Sequence, residues 1–183
     1  TLFTPAGFTF AIWGVIYLGL ISFSIYLFTG NQKQSLTLDK IFPWYMLVSA
    51  ANVIWLVFWH SKNIGLALIP MLVLLGGLIV IYQKLKIGEK SYSLAKSVFH
   101  NAVFSVYLGW ISVATIANIA IVLVHVVEWG AFGLEPEIWT SLMVVVAAIL
   151  ALAMVVLKRD LAFSAVILWA SFGVYSASSS DLI

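Results

Sequence analysis

The chain has 183 residues, of which 63% are hydrophobic and only 9% are charged, and its formal net charge is +2. Because soluble domains carry roughly a quarter charged residues, this composition excludes a soluble protein and predicts an integral membrane protein. The chain contains no cysteine, which also excludes disulfides, thiol chemistry and cysteine-ligated metals.

Six apolar segments are long enough, or nearly so, to cross a membrane as helices, which takes roughly 20 apolar residues. In chain order they cover residues 5–29, 42–60, 64–82, 98–127, 137–157 and 161–176. Helices are expected because a span away from water must satisfy its own backbone, and residues 147–156 lack the alternation of a β-barrel strand. The sixth segment is the shortest. The loops are short, so the sequence predicts one all-α transmembrane domain over residues 1–183.

Local signals agree with these segments. Pro5 and Pro136 stand where proline is favoured in a first helical turn. Lys158 and Arg159 close the fifth segment, where the helix dipole favours cations, and Asp160 opens the sixth, where it favours an anion. The sequence opens at Thr1 with neither an initiator methionine nor a charged leader, and we expect that something upstream is missing or removed.

The basic residues predict the orientation. Eight of the nine lysines and arginines lie in three connections, residues 30–41, 83–97 and 158–160, which a six-span chain places on one face. Only Lys62 lies on the opposite face. The positive-inside rule assigns the basic face to the cytoplasm or its equivalent, with both ends of this chain on the other side. The net charge reflects this sidedness alone, so the lipid bilayer is an expected partner and nucleic acid is not.

The interior of the spans limits the chemistry. No Asp, Glu, Lys or Arg falls inside a span away from its ends, which disfavours a proton pump or ion-coupled transporter. No phosphate-binding loop, metalloprotease helix or nucleophile elbow is present. His60, His100 and His125 lie near segment ends and fit interfacial residues better than metal ligands. No catalytic residue and no metal site is therefore predicted.

Polar and aromatic residues form a layer within the predicted membrane. Counted at 1.5 Å per residue, Trp13, Asn52, Asn118 and Trp169 all lie about 10–14 Å from the acidic face. Tyr17 and Trp55 share helical faces with Trp13 and Asn52. These residues could line an aromatic cavity for a flat hydrophobic ligand. Alternatively, the two asparagines link helices, each contributing about 1 kcal/mol, and the tryptophans are ordinary packing.

Four sequence motifs occur in the order found in the translocator-protein family, also called tryptophan-rich sensory proteins (TspO/MBR). Residues 5–17 (PAGFTFAIWGVIY) resemble the family's signature helix PPGWxFxxxWxxxY. Residues 52–55, 65–68 and 107–118 resemble its LNxxWS, PGLA and PYLxWVxFAxxLN segments. The motifs are spread over residues 5–118, about 60% of the chain, and identify it as resembling a longer, divergent branch.

The chain also departs from the family pattern. Ala6 replaces a proline, Phe8 a tryptophan and Leu56 a serine, and Val106 stands where the family has proline. The compact family members have five spans with the signature helix second, whereas here it comes first. Four of the six predicted helices therefore match the five-helix core, the family's first span is expected upstream of Thr1, and the last two helices are additions at the C-terminal side.

The resemblance implies a helix bundle, often dimeric, with a cavity for tetrapyrroles such as protoporphyrin, sterols or aromatic drug-like molecules. The matched positions that would line or support this cavity are Trp13, Tyr17, Asn52, Trp55, Tyr107, Trp110, Ala114 and Asn118. Trp110 lies roughly 25 Å from the acidic face, so it either joins this site, supports the fold or lines a second opening.

Three functions compete. The first is a membrane receptor or carrier for a hydrophobic aromatic ligand, tetrapyrrole or sterol-like, with no cofactor required. The second is an accessory structural subunit of a larger membrane complex, or a pigment-binding one with a chlorophyll-type tetrapyrrole on histidine. The third is oxidative degradation of porphyrin at tryptophans, which the lack of an acid–base pair disfavours. The sequence favours ligand binding without catalysis, as a monomer, a homodimer or a complex.

Overall fold

The computed structural model describes residues 5–27, 36–89, 101–125, 133 and 135–180 of the chain. A 3-10 turn over Gly7–Ala11 leads into α1, Ile12–Leu27. The other helices are α2 (Leu36–His60), α3 (Ile64–Leu85), α4 (Val103–His125), α5 (Pro136–Lys158) and α6 (Leu161–Ser180). These described residues contain no strand. The all-α prediction and the six helices are therefore confirmed.

Five helices of the described chain are long and apolar enough to cross a membrane. The sixth, α6, has a shorter apolar part, Leu161–Ala177, in line with the predicted weakness of this segment. The chain is thus a multi-pass integral membrane protein. Three helices extend beyond the predicted apolar segments: α2 begins at Leu36, six residues before position 42, α3 continues to Leu85 beyond 82, and α6 continues to Ser180 beyond 176. The predicted ends at residues 29, 98 and 127 lie outside the described residues.

Helix α4 is the centre of the bundle. It packs against α3, α1 and α6, while α2 and α3 form a tight pair and α5 packs mainly on α6. Phe104, Tyr107 and Ile111 of α4 are almost completely buried among these neighbours. In a membrane the helices gain little from excluding water, so such close packing has to hold them together. Some residues of α4 pack in this core, and others line the cavity described below.

The crossing of α4 and α6 depends on Gly109. A β-carbon at this position would lie 2.9 Å from the carbonyl oxygen of Phe163 and 3.2 Å from the β-carbon of Val166. At Gly76, on α3, a β-carbon would meet nothing within 4 Å. The same Gly→Ala change therefore tests packing at one site and helix propensity at the other.

We expect Gly109→Ala to destabilise the detergent-solubilised protein by about 1–3 kcal/mol, because the backbone of α6 has to move away. Gly76→Ala should be neutral or stabilise by up to about 1 kcal/mol, because alanine is the better helix former. The unfolding temperatures of the two variants, measured side by side, check this difference. Equal shifts would show that α4 and α6 do not cross this closely.

A second set of contacts, which we call the clasp, joins the end of α3 to the turn between α5 and α6. It consists of Tyr82, Gly88, Glu89, Lys158 and Asp160. The Asp160 carboxylate accepts hydrogen bonds from the Tyr82 hydroxyl (2.8 Å) and from the Phe163 backbone N–H (3.0 Å). Asp160 thus caps α6, as the sequence predicted. Lys158 pairs with Glu89 at 2.7 Å, and Gly88, with φ +80°, lies directly against the Lys158 carbonyl.

Candidate functional site

Trp13 is the centre of an aromatic cluster formed by α1, α2 and α4. Its ring stacks on Tyr17 (centroids 5.4 Å apart, planes 24° apart) and on Trp55 (5.7 Å, 28°). It meets the edges of Tyr107 (6.1 Å, 71°) and Trp110 (6.2 Å, 85°). The stacked and edge-on geometries are those that aromatic pairs prefer. Five residues predicted from the sequence are therefore brought together in one place.

Beside this cluster lies an apolar cavity of about 60 Å³, open on one side. Its walls come from the start of the chain and from α2, α3, α4 and α6. The described residues that line it are Pro5, Phe10, Trp55, Trp59, Met71, Trp110, Val113, Ala114, Ala117, Asn118, Ile121 and Val174. Ala114 and Ala117 leave space along α4, while the indoles of Trp55 and Trp110 provide flat walls. The α4 residues among them run from Trp110 to Ile121, about 16 Å along the helix axis.

Several polar atoms of the cavity's side chains have no hydrogen-bond partner in the described part of the protein. They are both amide atoms of Asn118 and the indole nitrogens of Trp55 and Trp110. The three residues are buried, with exposed fractions of 2%, 6% and 3% respectively. A buried polar group without a partner costs about 1–3 kcal/mol. Native proteins rarely leave buried polar groups unpaired, and Thr9, Asn52 and Asn101 each have one such atom as well.

Comparison with known protein families identifies the family of this chain. The family described as TSPO-like protein matches the chain over residues 1–183. The chain belongs to that family. No curated protein and no solved structure matches it. The match includes α5 and α6, so the two helices that we expected as additions to the compact core lie within the pattern of this TSPO-like family.

The predicted site residues of this TSPO-like protein fall into two groups. Trp55, Trp110, Ala114 and Asn118 line the cavity. The other four, Trp13, Tyr17, Asn52 and Tyr107, lie in or against the aromatic cluster that contacts its indole walls. Trp110 lines the same cavity as Asn118 rather than a second opening. Of the layer predicted by depth, only Asn118 lines this cavity.

The two asparagines have different environments. The Asn52 side-chain N–H donates to the Tyr17 hydroxyl at 3.2 Å, which connects α2 to α1. Asn118 has no corresponding hydrogen bond to another helix within the described residues. Asn52 therefore fits the interhelical role that the sequence left open for both residues, although its amide oxygen, like both amide atoms of Asn118, has no partner in the described residues.

Trp169, selected by depth, lies outside the cavity. Its indole N–H donates to the Thr9 carbonyl at 3.0 Å, its ring meets the edge of Phe8 at 5.5 Å, and 39% of the residue is exposed. The 3-10 turn folds onto α6 here, since the Ala6 N–H also donates to the Gly173 carbonyl at 3.0 Å. Depth alone could not show that Trp169 is on the outward side of α6.

Sequence reasoning missed several lining residues. Trp59 and Ile121 were detectable, because they follow the predicted residues Trp55 and Asn118 by four and three residues on the same helical faces. Phe10 lies within the signature motif, but its contact with Trp110, at a centroid distance of 5.8 Å, depends on the 3-10 turn. Val174 was not detectable, because its position follows from the crossing of α6 over α4.

The described residues offer no cluster of three or more His, Asp or Glu side chains that would hold a metal ion. The His60 ring bonds its own helix, with Nδ1 2.8 Å from the Leu56 carbonyl oxygen, and is exposed. His100 and the side chain of His125 lie outside the described residues.

Proposed function

We propose that this TSPO-like protein is a membrane receptor or carrier that binds a hydrophobic aromatic ligand, of tetrapyrrole or sterol-like type, in the cavity beside α4. The unpartnered amide of Asn118, buried in an otherwise apolar wall with two indoles, carries this proposal. Stacking on the indoles supplies affinity, and the few polar atoms orient the ligand. In this proposal the basic loops face the cytoplasm, and the cavity lies nearer the opposite face.

Ligand binding requires the cavity to widen. Pockets for drug-sized molecules measure about 300–1,000 Å³, whereas this one measures about 60 Å³. Pro5 and Phe10 form the part of the cavity wall that can move most easily, because Phe10 belongs to a short 3-10 turn and is exposed. Two hydrogen bonds, Ala6 to Gly173 and Trp169 to Thr9, hold this turn on α6. We infer that the ligand enters by displacing it.

The asparagine pair provides the decisive experiment. Asn118→Leu removes an unpartnered buried amide, so we expect unchanged or higher thermal stability together with about tenfold weaker binding, equivalent to one hydrogen bond of about 1.4 kcal/mol. Asn52→Leu breaks the bond to Tyr17 and should lower stability. Visible absorption titration with protoporphyrin, alongside thermal unfolding, measures both effects in the purified protein.

If Asn118→Leu lowers stability and leaves affinity unchanged, Asn118 has a structural role and the proposed site is wrong. If the native protein itself gives no saturable absorption change, the ligand-binding function fails for tetrapyrroles.

The accessory-subunit role would then be favoured. For that role α5 offers a long apolar surface, with Val145, Ile149, Leu152 and Val156 exposed. Migration of the native membrane extract on a gel distinguishes a lone monomer or dimer from a permanent complex.

A further inference from the structure

A second cavity, of about 260 Å³, lies where the end of α3, the start of α4 and the α5–α6 turn meet. Polar and charged side chains line it, those of Asn101, Ser105, Lys158, Arg159 and Asp160. Membrane-spanning segments end or begin beside it, at residues 85, 103 and 158. The headgroup region of a bilayer extends about 5–7 Å beyond each side of the hydrocarbon core, so this cavity lies at the level of the lipid headgroups.

The start of α6 offers backbone donors to this cavity. Leu161 and Ala162 line it and supply the first two N–H groups of the helix, which have no acceptor within α6. The next two N–H groups are satisfied, because that of Phe163 bonds the Asp160 carboxylate and that of Ser164 bonds the Asp160 carbonyl. Free N–H groups and the helix dipole both favour an anion at this end of a helix.

Ser105 on α4 points to a ligand independently of the helix end. It lines the cavity although the residue is only 1% exposed. Ser112 and Thr115, on the same helix, donate to carbonyls four residues earlier, whereas the Ser105 hydroxyl makes no hydrogen bond within the described residues. Buried hydroxyls normally have a partner, so this one is available to a group in the cavity.

Arg159 sets the charge of that group. Lys158 pairs with Glu89 at 2.7 Å, whereas the Arg159 guanidinium makes no ion pair or hydrogen bond within the described chain. Two cations and the Asp160 carboxylate line the cavity, which leaves one net positive charge. This charge matches the single negative charge of a phosphodiester, and the paired N–H donors of arginine fit phosphate oxygens.

We propose that this cavity binds the phosphodiester of an anionic phospholipid, with Arg159, Ser105 and the first N–H groups of α6 as donors. Basic pockets between membrane helices bind such headgroups. The volume also admits the headgroup alcohol, since a water molecule occupies only about 30 Å³. Soluble phosphate has the same oxygens, but the position at headgroup level favours the lipid. The choline of a zwitterionic lipid would bring a cation towards Lys158 and Arg159, and such a lipid is disfavoured.

Phosphatidylglycerol, phosphatidylcholine and inorganic phosphate distinguish these sources. The unfolding temperature of the purified protein is measured in phosphatidylcholine nanodiscs that contain increasing fractions of phosphatidylglycerol, because a ligand of the folded state raises it. Inorganic phosphate is added to nanodiscs of phosphatidylcholine alone, with chloride at equal ionic strength as the reference. We expect a saturable rise with phosphatidylglycerol and none with inorganic phosphate.

Arg159→Gly tests the site without threatening the fold. Arg159 has φ +53° at the end of α5, a conformation that favours glycine. In phosphatidylcholine the variant should be as stable as the native protein or more so, while its apparent affinity for phosphatidylglycerol falls about tenfold with the loss of a charge-assisted bond. Lys86→Gly is the matched control, because Lys86 ends α3 with the same φ but does not line the cavity. Ser105→Ala should give a smaller loss.

Each other outcome overturns the proposal. A native response in Arg159→Gly would show that the lipid does not bind in this cavity, and an equal loss in Lys86→Gly would show only a general attraction between basic residues and an anionic membrane. Equal stabilisation by inorganic phosphate would assign the cavity to a soluble anion. No saturable rise with phosphatidylglycerol in the native protein would exclude the lipid altogether.

Discussion

Trp13→Ala is expected to lower both the stability of the bundle and its affinity for ligand. Trp13 contacts four aromatic rings on α1, α2 and α4, and replacing a packed tryptophan by alanine costs about 3–5 kcal/mol. Trp13 is only partly buried, so we expect about 3 kcal/mol, or roughly 6–12 °C in unfolding temperature. Affinity falls because Trp55 and Trp110 lose the ring that holds them as cavity walls.

Two matched variants show whether this effect is specific. Trp13→Phe keeps a ring in the cluster and should retain most of the stability and affinity. Trp169→Ala removes another indole, but one that lies on the outside of α6. It should cost about 1 kcal/mol for one hydrogen bond and should not weaken binding, because that bond holds the turn that the ligand displaces. If Trp169→Ala weakens binding as much as Trp13→Ala does, the loss reflects general loosening of the bundle and not the aromatic cluster.

The apolar segments predicted where the helices are, but not where they end. Hydropathy marks the part of a helix that fits the membrane, and α2 extends beyond that part. Its first turns, from Leu36, include Asp39 and Lys40, which the sequence assigned to a basic loop. Charged residues at a helix end are compatible with helical structure when they lie outside the hydrocarbon region. The apolar segment therefore begins at residue 42, six residues after the start of the helix.

Helical spacing predicted which residues of the candidate site share one face of a helix. The i, i+4 and i, i+3 relations placed Trp13 with Tyr17 and Asn52 with Trp55, and the structure brings these pairs into one cluster. Depth gives the height of a residue but not the direction in which it faces. For that reason Trp169 was grouped with residues that it does not contact. Val174 could not be predicted, because it lines the cavity through the Gly109 crossing.

The second large effect is expected at the clasp. Asp160→Ala removes the cap of α6, worth about 0.5–2 kcal/mol, and leaves the buried Tyr82 hydroxyl without its partner, at about 1–3 kcal/mol. We expect a total loss of about 3 kcal/mol in the free energy of unfolding. Asp160→Asn keeps an acceptor for the Phe163 N–H and should cost less. Lys158→Ala, which breaks an exposed ion pair, should cost under about 1 kcal/mol.

A double-mutant cycle with Tyr82→Phe isolates the interaction between α3 and the α5–α6 turn. We expect Tyr82→Phe and Asp160→Ala to be non-additive by about 1–3 kcal/mol, since the two residues share one hydrogen bond. Additive losses would show that the bond contributes nothing of its own. Because α6 supplies Val174 to the cavity, ligand affinity of the same variants decides whether the clasp also shapes the site. A loss of stability with unchanged affinity would mean that the clasp does not position this part of α6.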